Sequence, residues 1–264
     1  MMSLLIIPEI ILSIGVLLII VIDLYLQKSR HITYVLIQLL LLMTAYFSLT
    51  EEVYLDYEAY EFSKFMNYLK FILIVGTLII FHYTYKHLTY LKNLKMEYFT
   101  ISILGLIGIM IMTSAYSLLM LYLGIELLSL ALYALIGFNK ESSLSSEAAI
   151  KYYVLGAMSS GILLFGISLI YGFTGSINYF EISNQLSILD SSSVQYLGVI
   201  FGLIFITASL CFKFGAAPFH IWVPDIYQGS LISTTTLLST LPKMAVFIVF
   251  IKLYFIPFYT LNYI

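Results

Sequence analysis

Apolar runs long enough to cross a bilayer recur from one end of this sequence to the other, and that repetition constrains the fold before any single residue is weighed. A hydrocarbon layer about 30 Å thick demands about 20 consecutive apolar residues per helix. Runs of that kind fall at 4–25, 32–49, 70–86, 98–114, 117–138, 148–172, 194–216 and 232–256. A short amphipathic piece at 217–228 separates the last two. The sequence thus predicts an all-α polytopic membrane protein of eight transmembrane helices, with no stretch left over for a soluble catalytic domain. Composition agrees, since 61% of the 264 residues are hydrophobic and 10% charged, against about half and a quarter in soluble domains.

Several functions are excluded on the same grounds. A formal net charge of −2 offers no basic face for nucleic acid. A single cysteine, Cys211, cannot build a disulfide framework, an iron–sulfur cluster or a cysteine-based zinc site by itself. The first apolar run contains Pro8 and Glu9 and lacks both a basic leader and a small-residue cleavage site, so it is read as a retained helix. Abundant Tyr, Phe, Ile and Leu, with Arg30 the single arginine, point to an AT-rich genome, organellar or bacterial.

Charge sorts the loops into two sets. Lys28, Arg30, Lys86, Lys92, Lys95, Lys140 and Lys151 follow odd-numbered spans, whereas Glu51, Glu52, Asp56, Glu58, Glu61, Glu181 and Asp190 follow the second and sixth. The positive-inside rule then predicts both termini on the outer face, intermembrane space or periplasm. Ser145 or Ser146, just ahead of Glu147, reads as the N-cap of the sixth span.

Three ionisable residues fall where the bilayer is deepest: Glu126 in "LLMLYLGIELLSLALYAL", Lys213 in "ASLCFKFGAAPF" and Lys243 in "LLSTLPKMAVFIVF". A charge at a helix centre costs about 2.5–3.5 kcal/mol on insertion scales, so each needs a partner or a wet cavity. Taken alone, Lys213 fits a lysine snorkelling near a helix end. Its neighbours argue otherwise, because Pro218 removes the donor for the Phe214 carbonyl and Pro224 the donor for that of His220. The seventh span must therefore break just after the lysine, and carbonyls freed in a membrane line cavities. Lys243 follows Pro242, which leaves the Leu238 carbonyl without its helical donor. A proline kink with an incidental lysine is the plainer alternative, but a mid-span position lies beyond snorkelling reach. Brought together, the acid at 126 and the amine at 213 would favour each other's charged form and act as a switch, a relay in which Lys243 takes the proton onward.

Other residues carry weaker signals. His220 fits a proton shuttle near neutral pH or, equally, the cap of a broken helix. Lys151, at the start of the sixth span, reads first as a snorkelling lysine and second as an aid to proton entry. Asp225 reads as a loop acid that fixes backbone near Tyr227 and Gly229, and His31, His82 and His87 as interfacial residues. The small residues of "GAMSSG", with Gly105 and Gly108, point to close helix packing.

At these residues the sequence resembles subunit 2 of the proton-pumping NADH:quinone oxidoreductase, complex I, called chain N in bacteria. The resemblance rests on "LGIELLSLALYAL", "SSEAAIKYYVLGAMSSGILLFGISLIYGFTGS", "FKFGAAPFHIWVPDIYQG" and "STLPKMAVF", in the family's order and spacing, from about residue 98 onward. The opening "PEIILSIGVLLIIVIDL" looks like the family's first helix. The resemblance implies an antiporter-like fold with a broken seventh helix. Residues 1–97 would form three leading helices and residues 98–264 the first of two five-helix repeats. It also implies that Glu126 is the charge-pairing glutamate, Lys213 the lysine of the broken helix and Lys243 the central lysine of a proton relay driven by quinone reduction elsewhere. NADH, FMN, iron–sulfur clusters and quinone are expected on other subunits, with no cofactor on this chain.

Two departures stand out. After Gly229 the family continues with a proline-containing segment where this sequence reads "SLISTTT", and the sequence ends at Ile264, after the first repeat. The expectation that follows is a split subunit, completed by a separately encoded second half. Its neighbours would be other complex I membrane subunits, antiporter-like and small three-helix ones, together with lipids, in the mitochondrial inner membrane or alternatively a bacterial plasma membrane. The alternatives are a structural subunit without its own proton path, or a subunit of a related cation/proton antiporter or plastid-type quinone oxidoreductase.

Overall fold

A chain inside lipid must satisfy its own backbone hydrogen bonds, and each apolar run here does so by closing into a helix. The computed structural model describes residues 7–25, 30–50, 60, 63–90, 95–190 and 193–259. Lys28, Lys92, Glu51, Glu52, Asp56, Glu58 and Glu61, used above to sort the loops, lie outside the described residues. Among the described residues, eight helices are long and apolar enough to span a membrane. They are α1 (Ile7–Tyr25), α2 (Arg30–Thr50), α3 (Lys64–Tyr90), α4 (Glu97–Ser114), α5 (Leu118–Ile136), α6 (Ser143–Thr174), α8 (Val194–Phe214) and α10 (Ile232–Phe255). Two shorter helices complete the order, α7 (Tyr179–Ile188) and α9 (Trp222–Gly229).

The termini of these helices differ from the sequence reading in two places. The cap of α6 is Ser142, whose hydroxyl accepts from the Ser145 amide; Ser145 is already helical, and its own hydroxyl reaches back to the Ile136 carbonyl at 2.6 Å. A segment read as loop contains α7, because Asn178 accepts from the Phe180 amide and Tyr179, Ile182 and Leu186 recur at helical spacing on a buried face.

The linkers gather at two ends. At the first end, Tyr60 pairs with Ala115 and Ser117 with Asn178 in isolated antiparallel bridges, so the segments preceding α3, α5 and α7 meet there. At the second end, the Thr234 hydroxyl reaches the Leu135 carbonyl, and Lys95 lies over the Phe138 ring.

Two helix pairs approach backbone to backbone. A Cβ on Gly108 would lie 2.8 Å from the Gly124 carbonyl oxygen, and one on Gly124 would lie 2.6 Å from the Met112 amide, so α4 and α5 touch through glycine. Gly166 and Gly202 repeat the arrangement between α6 and α8, where Ser159 and Ser209 also exchange hydroxyl and carbonyl contacts at 2.8–3.3 Å. Small residues permit such closeness where hydrophobic driving force is absent. Outward side chains such as Leu17, Leu130, Val154, Phe201 and Phe247 are exposed and apolar, as lipid contact requires. Gly124→Val is expected to cost about 1–3 kcal/mol by overpacking and to lower the yield of folded chain on detergent size exclusion. Gly172→Ala, where a Cβ meets nothing within 4 Å, should leave the yield unchanged.

Candidate functional site

The seventh span breaks where the sequence places the break, but glycine causes it. Gly215 adopts φ 77°, a conformation L side chains rarely take, and its amide returns to the Cys211 and Phe212 carbonyls while that of Ala216 returns to Cys211 at 3.0 Å. This glycine-capped termination ends α8 three residues before Pro218, so the proline lies beyond the helix it was expected to stop. The indole of Trp222 donates to the Phe212 carbonyl at 3.0 Å, so this helix-end acceptor is met by protein rather than by water.

Lys213 is the penultimate residue of α8. Its Nζ lies 2.7 Å from the Ser129 hydroxyl, one turn along α5 from Glu126. Glu126 itself is half-buried and makes no ion pair with Lys213 within 4 Å; its Oε1 is buried without a hydrogen-bond partner. Lys213 is thus bound to α5 through a hydroxyl one turn from the acid, not through the acid itself. Beside Lys213 is a cavity of about 10 Å³, the volume of roughly one water molecule, lined mainly by apolar side chains such as Ile125, Leu132 and Val246, with Ser129, Tyr152 and Pro242.

Pro242 belongs to α10, which stays helical on both sides of it. The next residue, Lys243, is half-buried and lies over the Tyr227 ring with Nζ 5.7 Å from the centroid. The small cavity therefore abuts the helix turn that carries Lys243, although neither Lys243 nor Glu126 lines it.

Helix α9 connects these positions. Trp222 fastens it to α8, Tyr227 underlies Lys243 of α10, and Asp225 meets Lys151 of α6 at 2.9 Å. Lys151 also pairs with Glu147, one turn before it, at 2.8 Å. Neither residue follows its sequence reading: Lys151 is engaged by two carboxylates instead of snorkelling freely, and Asp225 binds a side chain instead of fixing its own loop. Gly229 presses on Leu144 and Ala148 of α6, completing the seat. His220, in the turn before α9, is exposed.

A second charged group escaped the sequence reading. Glu9 of α1, Tyr60 and Lys70 of α3 converge at the first end, with Lys70 Nζ 2.7 Å from Glu9 Oε1 and the Tyr60 hydroxyl donating to the same oxygen. All three residues are at most 4% exposed. Lys252 of α10 is equally buried, donates to the Thr113 carbonyl at 3.1 Å and lies over the Tyr116 ring. The signals were present in Glu9 after Pro8 and in Lys70 within "NYLKFILIV", but both lie near span ends, where hydropathy tolerates charge. Among the described residues no group of three or more His, Cys, Asp or Glu is placed to hold a metal ion.

Comparison with known proteins places these features in context. Residues 115–263, more than half of the chain, match the family described as "NADH:quinone oxidoreductase/Mrp antiporter, TM". NADH-quinone oxidoreductase subunit N of Ruthia magnifica subsp. Calyptogena magnifica is 40% identical over 251 residues, covering 93% of this chain and 52% of that protein. The corresponding subunit of Pelagibacter ubique is 36% identical over 257 residues, covering 96% and 53%. The chain thus spans about half the length of the curated relatives it matches. In fold it is similar to a chain of respiratory complex I from Thermus thermophilus with bound Aureothin, with TM-score 0.73, 24% identity and coverage of 93% and 52%. It is also similar to a chain of the Mrp complex from Dietzia sp. DQ12-45-1b, with TM-score 0.75, 18% identity and coverage of 98% and 50%. The antiporter-like architecture is shared by both.

The Lys151–Asp225 contact is half-exposed on both sides. A double-mutant cycle of Lys151→Met and Asp225→Asn, read by thermal unfolding in detergent, should therefore show near-additive shifts, the mark of an ion pair screened by solvent. A clear departure from additivity would mean that the contact is shielded from solvent.

Proposed function

The chain belongs to the NADH:quinone oxidoreductase/Mrp antiporter transmembrane family, and from that premise we propose that it is an antiporter-like membrane subunit of a proton-pumping NADH:quinone oxidoreductase. It takes part in proton translocation through Glu126, Lys213 and Lys243, coupled to quinone reduction on other subunits. Residues 1–97 act as leading helices and residues 98–264 as one five-helix repeat. Its partners are other membrane subunits of complex I. Its membrane is an energy-conserving one, the mitochondrial inner membrane on the composition argument, or a bacterial plasma membrane on the bacterial source of its relatives, with both termini on the outer side.

One observation carries this reading: Lys213 is held inside the bundle by a neutral hydroxyl, with a carboxylate one turn away. A lysine locked in an ion pair holds its proton tightly, whereas one on a hydroxyl can release it at modest cost. A small shift of the α8 end toward Glu126 would secure the proton on Lys213. A shift away would leave the cavity beside Pro242 as the way on to Lys243. Lys151 and His220, at the second end, serve as an electrostatic guide and a solvent-facing proton exchanger respectively.

The likeness to the Mrp complex favours a second reading, a subunit of a cation/proton antiporter with the same relay and no coupling to quinone. The identities of 36–40% to subunit N favour the first. Isolation of the native complex with mass spectrometry of its components separates them, since the first reading requires NADH dehydrogenase subunits as companions.

Within assembled complex, Lys213→Met or Glu126→Gln should lower proton pumping by about tenfold or more, the scale of a lost proton-transfer group, together with coupled quinone reduction. Normal pumping in both would sink the relay. Lys243→Arg should retain more function than Lys243→Met, because charge persists although proton exchange is impaired; equal, full activity in the two would show the position to be structural.

A further inference from the structure

We propose that Glu9, Tyr60 and Lys70 form a second proton-binding site, at the first end of the bundle, with the proton taken on Glu9 Oε2. The proposal rests on the reading of this chain as part of a proton-moving assembly, but it concerns residues outside the relay.

The bonding pattern carries the argument. Glu9, Tyr60 and Lys70 come from three separate segments, α1, the stretch before α3, and α3 itself, and 61 positions separate the first from the last. Their convergence in a buried site is costly, since buried ion pairs are often no more stabilising than well-packed apolar side chains. Both available donors, the Tyr60 hydroxyl and the Lys70 ammonium, address Glu9 Oε1. Oε2 is buried and has no hydrogen-bond partner. Oε2 is thus the carboxylate oxygen with a free lone pair for an incoming proton, which must compete with the Lys70 charge held on Oε1.

The arrangement also accommodates the charge change. With Glu9 ionised, the pair with Lys70 is neutral. A proton arriving on Oε2 converts the carboxylate to an acid whose other oxygen still accepts from Lys70, and one positive charge is left on the lysine. That charge faces the Tyr60 ring, with Nζ 5.0 Å from the centroid, and a ring face partly offsets an unneutralised ammonium. No covalent bond other than O–H is made or broken.

Among the described residues, the charged and titratable groups nearest this end of the site are Lys252 and Tyr116. Tyr60 is bridged to Ala115, which lies between Thr113, the acceptor of Lys252, and Tyr116, whose ring faces Lys252. Lys252 and Met66, four residues before Lys70, line the same cleft between α3 and α10. Lys252 follows Lys243 by nine positions, a rise of about 13 Å and half a turn out of phase. The site at the first end is therefore a separate station and not an extension of the Lys213 group.

The test separates a proton site from a helix staple. Two variants are compared with wild type in membrane vesicles from cells in which this chain is the sole copy of the subunit, reading proton uptake per NADH oxidised and normalising to assembled complex. Lys70→Arg keeps the charge but offers a guanidinium fork that spans both carboxylate oxygens and so withholds Oε2. The pair Glu9→Gln with Lys70→Met removes both charges together and leaves no uncompensated ion. Both are expected to assemble and to pump severalfold fewer protons. Wild-type pumping in either assembled variant overturns the proposal and makes the pair a staple, and failure of both to assemble assigns it to structure with the same consequence. Lys213→Met, measured alongside, reports on the relay alone. If it pumps normally while Lys70→Arg does not, the relay reading falls and this site stands; wild-type vesicles that pump no protons on NADH remove both.

Discussion

A charged amine inside hydrocarbon needs polar company, and the contact of Lys213 with Ser129 is where this fold meets that need. The lysine reaches the hydroxyl because α8 ends one residue later, which requires Gly215 in a left-handed conformation. The ending in turn exposes helix-terminal carbonyls, and α9 exists to cover them: Trp222 donates to the Phe212 carbonyl and packs against the Phe212 ring at a centroid distance of 5.6 Å. Once seated, α9 presents Asp225 to Lys151 and Tyr227 to Lys243. One broken helix thus brings residues from α5, α6, α8 and α10 into a single polar seam, and the glycine contacts between α4 and α5 and between α6 and α8 hold the surrounding frame close.

The sequence made the spans legible because a membrane imposes length and apolarity with little room for ambiguity. All eight predicted runs correspond to helices long and apolar enough to span, with α3 and α6 extending beyond the apolar part because Lys64, His87, Ser143 and Glu147 are compatible with helix near an interface. The break after Lys213 was also legible, although its cause was misplaced. Pro218 bars continuation of a helix, whereas glycine only permits an ending and is tolerated inside other helices here, so the sequence pointed to the proline; Gly215 acts first because its cap satisfies two carbonyls at once. Tertiary contacts were the illegible part. Nothing in linear order links Lys151 to Asp225, 74 positions away, or Glu9 to Lys70, and a charge near a span end reads as interfacial until its partner is known.

Fold likeness alone does not separate the two functional readings, since one architecture serves both the complex I chain and the Mrp chain. What distinguishes sites within that architecture is where charge is buried and how firmly it is held. Lys70 is in contact with a carboxylate and an aromatic face, and Lys252 with a backbone carbonyl and an aromatic face, whereas Lys213 has a hydroxyl. The same side chain thus meets three different sets of partners in one bundle.

Helix α10 is the element that meets both layers of charge. Near its start Thr234 reaches the Leu135 carbonyl, midway Lys243 lies over Tyr227, and near its end Lys252 reaches the Thr113 carbonyl. Pro242 removes one intrahelical donor near the centre of this rod, which leaves a point of reduced stiffness just before Lys243. The same proline lines the cavity beside Lys213. Bending there swings Lys243 and Lys252 together, as one arm, against the half of α10 that carries Thr234, and changes the cavity beside Lys213 in the same motion. The position of a single proline therefore puts both lysines on one moving arm, so that a shift felt at the cavity reaches the Lys252 end of the helix without changing the distance between the two amines.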